Sequence, residues 1–196
     1  MTKEIIFYGR GGQGAVTAAS LLVTAADYEG KHAQAFPFFG FERRGAPVTA
    51  YLRIDERHIT MRGRINNPDC IIVLDPKLPE IIDVYKGLKD GGIAILNAYE
   101  LSGKAHFNVK PSKIAIVNAN AISDQVFGAR PIPMTNTVML GSFSRATEWI
   151  SLSSIIKAIE HKFDWRLREE NIKAVKLGYE GTVIKQEFNV DEESEC

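Results

Sequence analysis

Gly9, Gly11 and Gly14 stand at the spacing G-x-G-x-x-G, in a stretch YGRGGQGAVT that follows the apolar run IIFY and leads into alanine-rich sequence. Glycines there let backbone approach a ligand closely. A helix starting just behind them presents free N–H groups and a partial positive charge to an anion. The chemistry implied is phosphate holding. A nicotinamide dinucleotide also requires an acid about 20 residues on, at the end of the second strand, to hold the ribose hydroxyls. That region reads HAQAFPFFG: Asp27 and Glu29 come before it, and Glu42 lies beyond Gly40. A tight strand-to-helix turn that binds nothing needs the same glycines. The segment Arg10, Gly11, Gly12, Gln13, Gly14 therefore leaves three readings open: a dinucleotide, another phosphate-bearing ligand, or a turn alone.

Other reactive side chains form no recognisable set. Cys70 and Cys196 stand in no C-x-x-C or Cys/His pattern, so no zinc or iron-sulfur site is expected in this chain. His32, His58, His106 and His161 are scattered, and neither Ser151 nor Cys70 sits in a nucleophile motif such as G-x-S-x-G. No catalytic residue and no metal ligand is assigned. Asp75, before Pro76, and Asn97, after IAIL, end strands and read as turn or cap residues.

The 24 basic and 24 acidic residues balance, and counterion release from nucleic acid needs a clustered excess of Lys and Arg. Nucleic acid is excluded as an expected partner. The N-terminus lacks the pattern of a signal peptide, and no run of about 18 apolar residues could span a bilayer, so the expected setting is cytoplasmic with no membrane partner. At 196 residues the chain suits one domain, read as residues 1–190 followed by an acidic frayed tail at 191–196.

Short apolar runs at 5–8, 33–38, 70–74, 93–96 and 114–117 suit strands buried on both faces in a largely parallel sheet. Residues 48–63, VTAYLRIDERHITMRG, read as a hairpin added to that sheet, which makes it mixed. The spacing of Leu78, Ile81, Ile82, Tyr85 and Leu88 predicts a helix over 79–89. Thr135 and Asn136 read as N-cap types for a buried helix holding Val138, Leu140 and Phe143; Ser151 reads as the N-cap of an amphipathic helix; another helix is expected from 166 to about 177, before Gly178. The fold class is α/β, a Rossmann-like three-layer domain with a mostly parallel, mixed sheet and an added hairpin.

Four ordered motifs carry a resemblance: GRGGQGAVTAASLL, QAFPFFGFERRGAPVTAYLRI, NNPDCIIVLDPKL and PMTNTVMLGSF. Together they resemble the gamma subunits of the 2-oxoacid:ferredoxin oxidoreductases, most closely those of the pyruvate enzymes, over nearly the whole chain. The resemblance implies a non-autonomous part of an enzyme that converts pyruvate and coenzyme A to acetyl-CoA and carbon dioxide while reducing ferredoxin, reversibly. It also implies alpha, beta and delta partner subunits, which carry thiamine diphosphate, magnesium and the iron-sulfur clusters. The chain lacks cluster cysteines and a G-D-G motif, so that cofactor chemistry is expected from other chains.

Arg43 and Arg44, in FGFERRGAP, lie just past a predicted strand's carboxyl end, where ligands of open α/β sheets bind. Arginine's planar fork suits phosphate, which coenzyme A carries. With the resemblance, these two arginines and the Arg10 to Gly14 loop are expected to cover a coenzyme A or thiamine site at a subunit interface, or to brace that interface. Surface arginines paired with Glu42 and its neighbours are the plain alternative. Substrates other than pyruvate (2-oxoisovalerate, 2-oxoglutarate, indolepyruvate) and a stand-alone nicotinamide oxidoreductase are the competing functions.

Overall fold

The computed structural model describes residues 1–38, 46–100 and 109–186. The apolar runs become β1 (Lys3–Arg10), β2 (His32–Phe38), β3 (Pro47–Asp55), β4 (Cys70–Val73), β5 (Ile93–Asn97), β6 (Lys113–Val117) and β7 (Val183–Lys185). They form one sheet in the order β2-β3-β1-β4-β5-β6-β7. β1, β4, β5 and β6 run parallel, in registers such as Phe7 opposite Ile72 and Ile72 opposite Ile95. β3 is antiparallel to β1 and β2, and β7 to β6. After β1 the chain builds one side of the sheet, and after β3 it crosses to build the other. The carboxyl ends of β1 and β4 therefore flank a topological switch point, the usual crevice for a ligand in such sheets.

The helices are α1 (Ala15–Asp27), α2 (Ala119–Phe127), α3 (Asn136–Thr147), α4 (Leu152–Lys162) and α5 (Trp165–Glu180). All five share a core with Ile5, Phe7, Leu52, Ile72 and Ile95, on one face of the sheet. The alternating residues Ile71, Val73, Ala94, Leu96 and Ile114 face the other way, against Leu78, Val84, Tyr85 and Leu88. Strand periodicity thus sends each run's side chains to two different layers.

That second covering layer corrects the helix expected over 79–89. It is a 3-10 turn (Leu78–Glu80) followed by further turns. Gly87 adopts φ +80, and a Cβ there would lie 2.1 Å from Asn66 O, so the backbone is pressed against a neighbouring loop in a left-handed conformation. The Asp83 carboxylate accepts from Tyr85 N at 3.1 Å, a local turn that competes with helix. The apolar spacing marked Leu78, Tyr85 and Leu88 as buried, which they are, but it missed the backbone, and Ile81 is exposed.

The hairpin expected over 48–63 is likewise replaced. β3 pairs with β2, and residues 56–63 contain no strand. With β1 on one side and β2 on the other, β3 has no free edge for a following strand. Asp55 stops it by accepting from Arg57 N and from the Thr2 hydroxyl. Two elements went unforeseen. α2 is short, with Asn118 Oδ1 capping Ala121 N, and β7 spans only three residues. The tail at 191–196 and His106 lie outside the described residues.

Glu29 ties the two ends of the helical layer. Its carboxylate accepts from Lys31 Nζ at 2.8 Å and from Ser151 N at 2.7 Å, while Lys31 also donates to Trp149 O. Burial pushes its pKa up, but these hydrogen bonds outweigh burial and hold it at about 2. A depressed carboxyl stabilises the fold above its unfolded pKa, and that stability is lost as pH falls through the folded value. Glu29→Gln is expected to destabilise the chain by about 1–2 kcal/mol at pH 7, after discounting for solvent screening. The difference should vanish as pH falls from about 4.5 toward about 2. Urea unfolding across that range checks it; a difference independent of pH would refute the assignment.

Candidate functional site

β1 stays in the sheet through Gly9 and Arg10, opposite Val48 and Pro47. The chain then reverses: Gln13 N donates to Arg10 O, and Gly11 N donates to Ala46 O, both at 3.0 Å. Gly12 (φ +100) and Gly14 (φ +77) occupy conformations that favour glycine. Gln13 fills the inside of the turn and is only 5% exposed. Its Oε1 accepts from Arg10 N at 2.8 Å, and its Nε2 donates to Asp75 Oδ2 at 2.9 Å. Arg10 Nε donates to the same carboxylate oxygen at 3.1 Å, and the other oxygen accepts from Lys77 N. The glycine loop is thereby stapled to the end of β4.

Residues 129–136 roof this loop. Ile132 Cδ1 would lie 3.2 Å from a Cβ on Gly12, and Asn136 Nδ2 2.7 Å from one on Gly14. Met134 N donates to Ser123 Oγ, and the Thr135 hydroxyl to Leu74 O, which fixes the roof to α2 and β4. Asn97 continues the stitching: its Nδ2 donates to Leu74 O and Asn120 Oδ1, and its Oδ1 accepts from Ala119 N.

Two helix N-termini meet here. Gly14 caps α1 and Thr135 caps α3, and neither supplies a side-chain cap. Their partial positive charges, with Arg10, favour an anion, while Asp75 opposes one and limits the attraction. Acid-base chemistry is not offered by the side chains whose pKa values move. Burial, then Tyr51 and Asp83, raises Tyr8 to about 12; burial and Asp83 raise Tyr85 to about 12; burial raises the Cys70 thiol well above its usual range.

The structure brings Gly9, Arg10, Gly11, Gly12, Gln13 and Gly14 together at the switch point, while Arg43 and Arg44 lie outside the described residues. Asp75, Ile132 and Asn136 join the loop without having been singled out as site residues. Asp75 could have been found as the acid ending the strand next to β1. The topology also weighs against a dinucleotide. In that fold the strand beside β1 is parallel and ends in the ribose-binding acid, whereas here it is β3, antiparallel, which brings Pro47 beside Arg10.

A comparison with known families matches residues 4–181 to the pyruvate ferredoxin/flavodoxin oxidoreductase family. The chain belongs to this family. The common gamma subunit of the pyruvate/ketoisovalerate oxidoreductases of Thermococcus kodakarensis is 48% identical over 183 residues, covering 92% of this chain and 97% of the relative. Pyruvate synthase subunit PorC of Methanothermobacter thermautotrophicus is 45% identical over 177 residues, covering 90% of this chain and 94% of the relative. Among solved structures, the pyruvate oxidoreductase subunit PORC of Thermotoga maritima superposes with a TM-score of 0.79 at 34% identity, covering 93% of this chain and 98% of that one. The pyruvate oxidoreductase family membership thus extends across the sheet, the helical layer and the glycine loop.

Proposed function

We propose that this chain is the gamma subunit of a multi-subunit pyruvate:ferredoxin oxidoreductase. The enzyme carries out the coenzyme A-dependent oxidative decarboxylation of pyruvate to acetyl-CoA and carbon dioxide, with the electrons passing to ferredoxin. The observation that carries this is the length of the match: gamma and PorC subunits align with this chain over nearly all of their own lengths. Alpha, beta and delta subunits complete the enzyme, in the cytoplasm, and residues 1–190 serve as one domain within it. Among the described residues no helix is long and apolar enough to cross a membrane.

The described residues do not fit a resident iron-sulfur cluster or a magnesium-thiamine site. Cys70 is sealed inside β4, and no three His, Cys, Asp or Glu side chains come together among them. That chemistry belongs to the partner subunits. This chain's contribution is positioning. In the Arg10 to Gly14 loop, held by Gln13 and Asp75, the Arg10, Gly11 and Gln13 amides are bonded within the protein, and it is the Gly12 and Gly14 amides at the start of α1 that face a phosphate of coenzyme A at a subunit interface. The sequence bearing Arg43 and Arg44 leads into Ala46, whose carbonyl is bonded to Gly11.

Isolating the chain from its native extract without oxygen, and assaying viologen reduction with coenzyme A and a panel of 2-oxoacids, tests the assignment. Activity with pyruvate that co-elutes with larger chains is expected. A lone chain with no such activity, even after crosslinking, would refute it. Replacing both Arg43 and Arg44 with alanine is expected to raise the KM for coenzyme A about 100-fold or more, since each lost charge-assisted contact is worth roughly 1.5–3 kcal/mol. Co-purification of the subunits should be unchanged. Unaltered coenzyme A kinetics would remove the arginines from that role.

A further inference from the structure

The geometry points to a second pocket, at the opposite end of the sheet from the glycine loop, that binds a small phosphate-bearing ligand. A cavity of about 450 Å³ opens between β2 and the segment after β3, lined by His32, Gln34, His58, Thr60 and Arg62. β1 separates it from the glycine loop: His32 lies level with Asp55 and Lys3 at one end of the strands, Arg10 at the other. Eight strand residues span about 25 Å, so the two sites are distinct.

The lining is rich in donors for an anion. Arg62 supplies a planar fork, Thr60 a hydroxyl, and the two imidazoles stand edge to face with centroids 5.7 Å apart. Among the described residues no acidic side chain lines the cavity. Asp55 lies opposite His32 on β3; its carboxylate is occupied by the Thr2 hydroxyl and Arg57 N, with the amino terminus and the Arg57 side chain each 4.0 Å away. The Gln34 carboxamide oxygen is buried and has no donor, so no hydrogen bond opposes its turning toward a hydroxyl on a bound ligand.

The chain on either side of the pocket's outer wall is tied to the sheet. Arg53, only 4% exposed, donates to Glu4 Oε1 at 2.8 Å and to Gly63 O at 3.1 Å, and its guanidinium lies over the Phe36 ring. Arg64 Nε donates to the Tyr51 hydroxyl, and Arg57 N is fixed by Asp55. The residues that flank the segment from His58 to Arg62 are thus anchored at both ends.

Pyrophosphate is the probe. The full chain, labelled at histidine, is titrated with it at constant ionic strength and followed by NMR, with His32 and His58 assigned through His32→Gln and His58→Gln. Both resonances should shift to saturation below about 1 mM, and Arg62→Gln should weaken binding about tenfold, while Arg168→Gln, on α5, should not. No saturation by about 10 mM, or equal binding in Arg62→Gln, would overturn the site. Shifts reproduced by chloride would mean an adventitious ion only, and would also overturn it. Binding by the free chain that disappears in the assembled oxidoreductase would assign the pocket to a partner's acidic side chain instead of a small ligand.

Discussion

Gly178→Ala is expected to lower the unfolding free energy of the chain by about 3 kcal/mol or more, a loss beyond the usual range for an overpacked core. α3 and α5 cross with their backbones in contact. A Cβ on Gly178 would lie 2.1 Å from Val138 O, and one on Gly141 2.0 Å from Val175 O and 2.6 Å from Tyr179 N. Backbone carbonyls inside helices cannot swing away as a side-chain tip can, so the helices must separate. Separation exposes Val138, Met139, Leu140 and Phe143, which are completely buried, and strains the bond from the Thr137 hydroxyl to Asn171 Oδ1. Alanine's better helix propensity returns about 1 kcal/mol, which is too little to compensate. Urea unfolding of wild type, Gly178→Ala, Gly141→Ala and the exposed-position control Lys176→Ala measures the effect. A loss below about 1 kcal/mol in both glycine variants would show that the crossing can open freely.

The same glycine explains one boundary that sequence reading places too early. Gly178 reads as a helix stop, because glycine follows many helices, yet α5 continues to Glu180. Its reason is tertiary, a close approach to α3 that no local pattern reveals. The parallel core strands, the cap at Ser151 and the glycine loop were legible because each rests on local chemistry: apolar runs, side-chain oxygens accepting from first-turn N–H groups, and positive φ. Pairing choices were not. Whether β3 turns back on β2 or on the following residues depends on which edges are free, and the layer at 78–92 depends on Gly87 meeting Asn66, 21 positions away. The site was half visible for the same reason. The loop itself could be read from its spacing, but its staple Asp75 and its roof Asn136 arrive from other parts of the chain.

Gly14→Ala is where the loop's geometry and the enzyme's turnover should meet. Two penalties combine at this residue. φ +77 puts alanine in the left-handed region at roughly 1–2 kcal/mol, and the new Cβ would lie 2.7 Å from Asn136 Nδ2. Asn136 is only 7% exposed and so has little room to move, which forces the N-termini of α1 and α3 apart. Gly12→Ala is the milder comparison: φ is also positive, but the clash is with the tip of Ile132, which can turn aside. In the assembled enzyme, Gly14→Ala should reduce coenzyme A-dependent pyruvate oxidation about 100-fold, the size of loss that misplacing a group by about 1 Å produces. Gly12→Ala should lose less. Adding Asn136→Ala to Gly14→Ala removes the 2.7 and 3.0 Å contacts but leaves a Cβ contact of 3.3 Å and the strained φ, so it should recover part of the activity but not all of it. Partial rescue would locate the defect at the contact between the two helix N-termini. Undiminished turnover in Gly14→Ala, with the subunits still assembled, would show that the reaction does not depend on the loop's geometry, and would reduce the glycine spacing to a turn between β1 and α1.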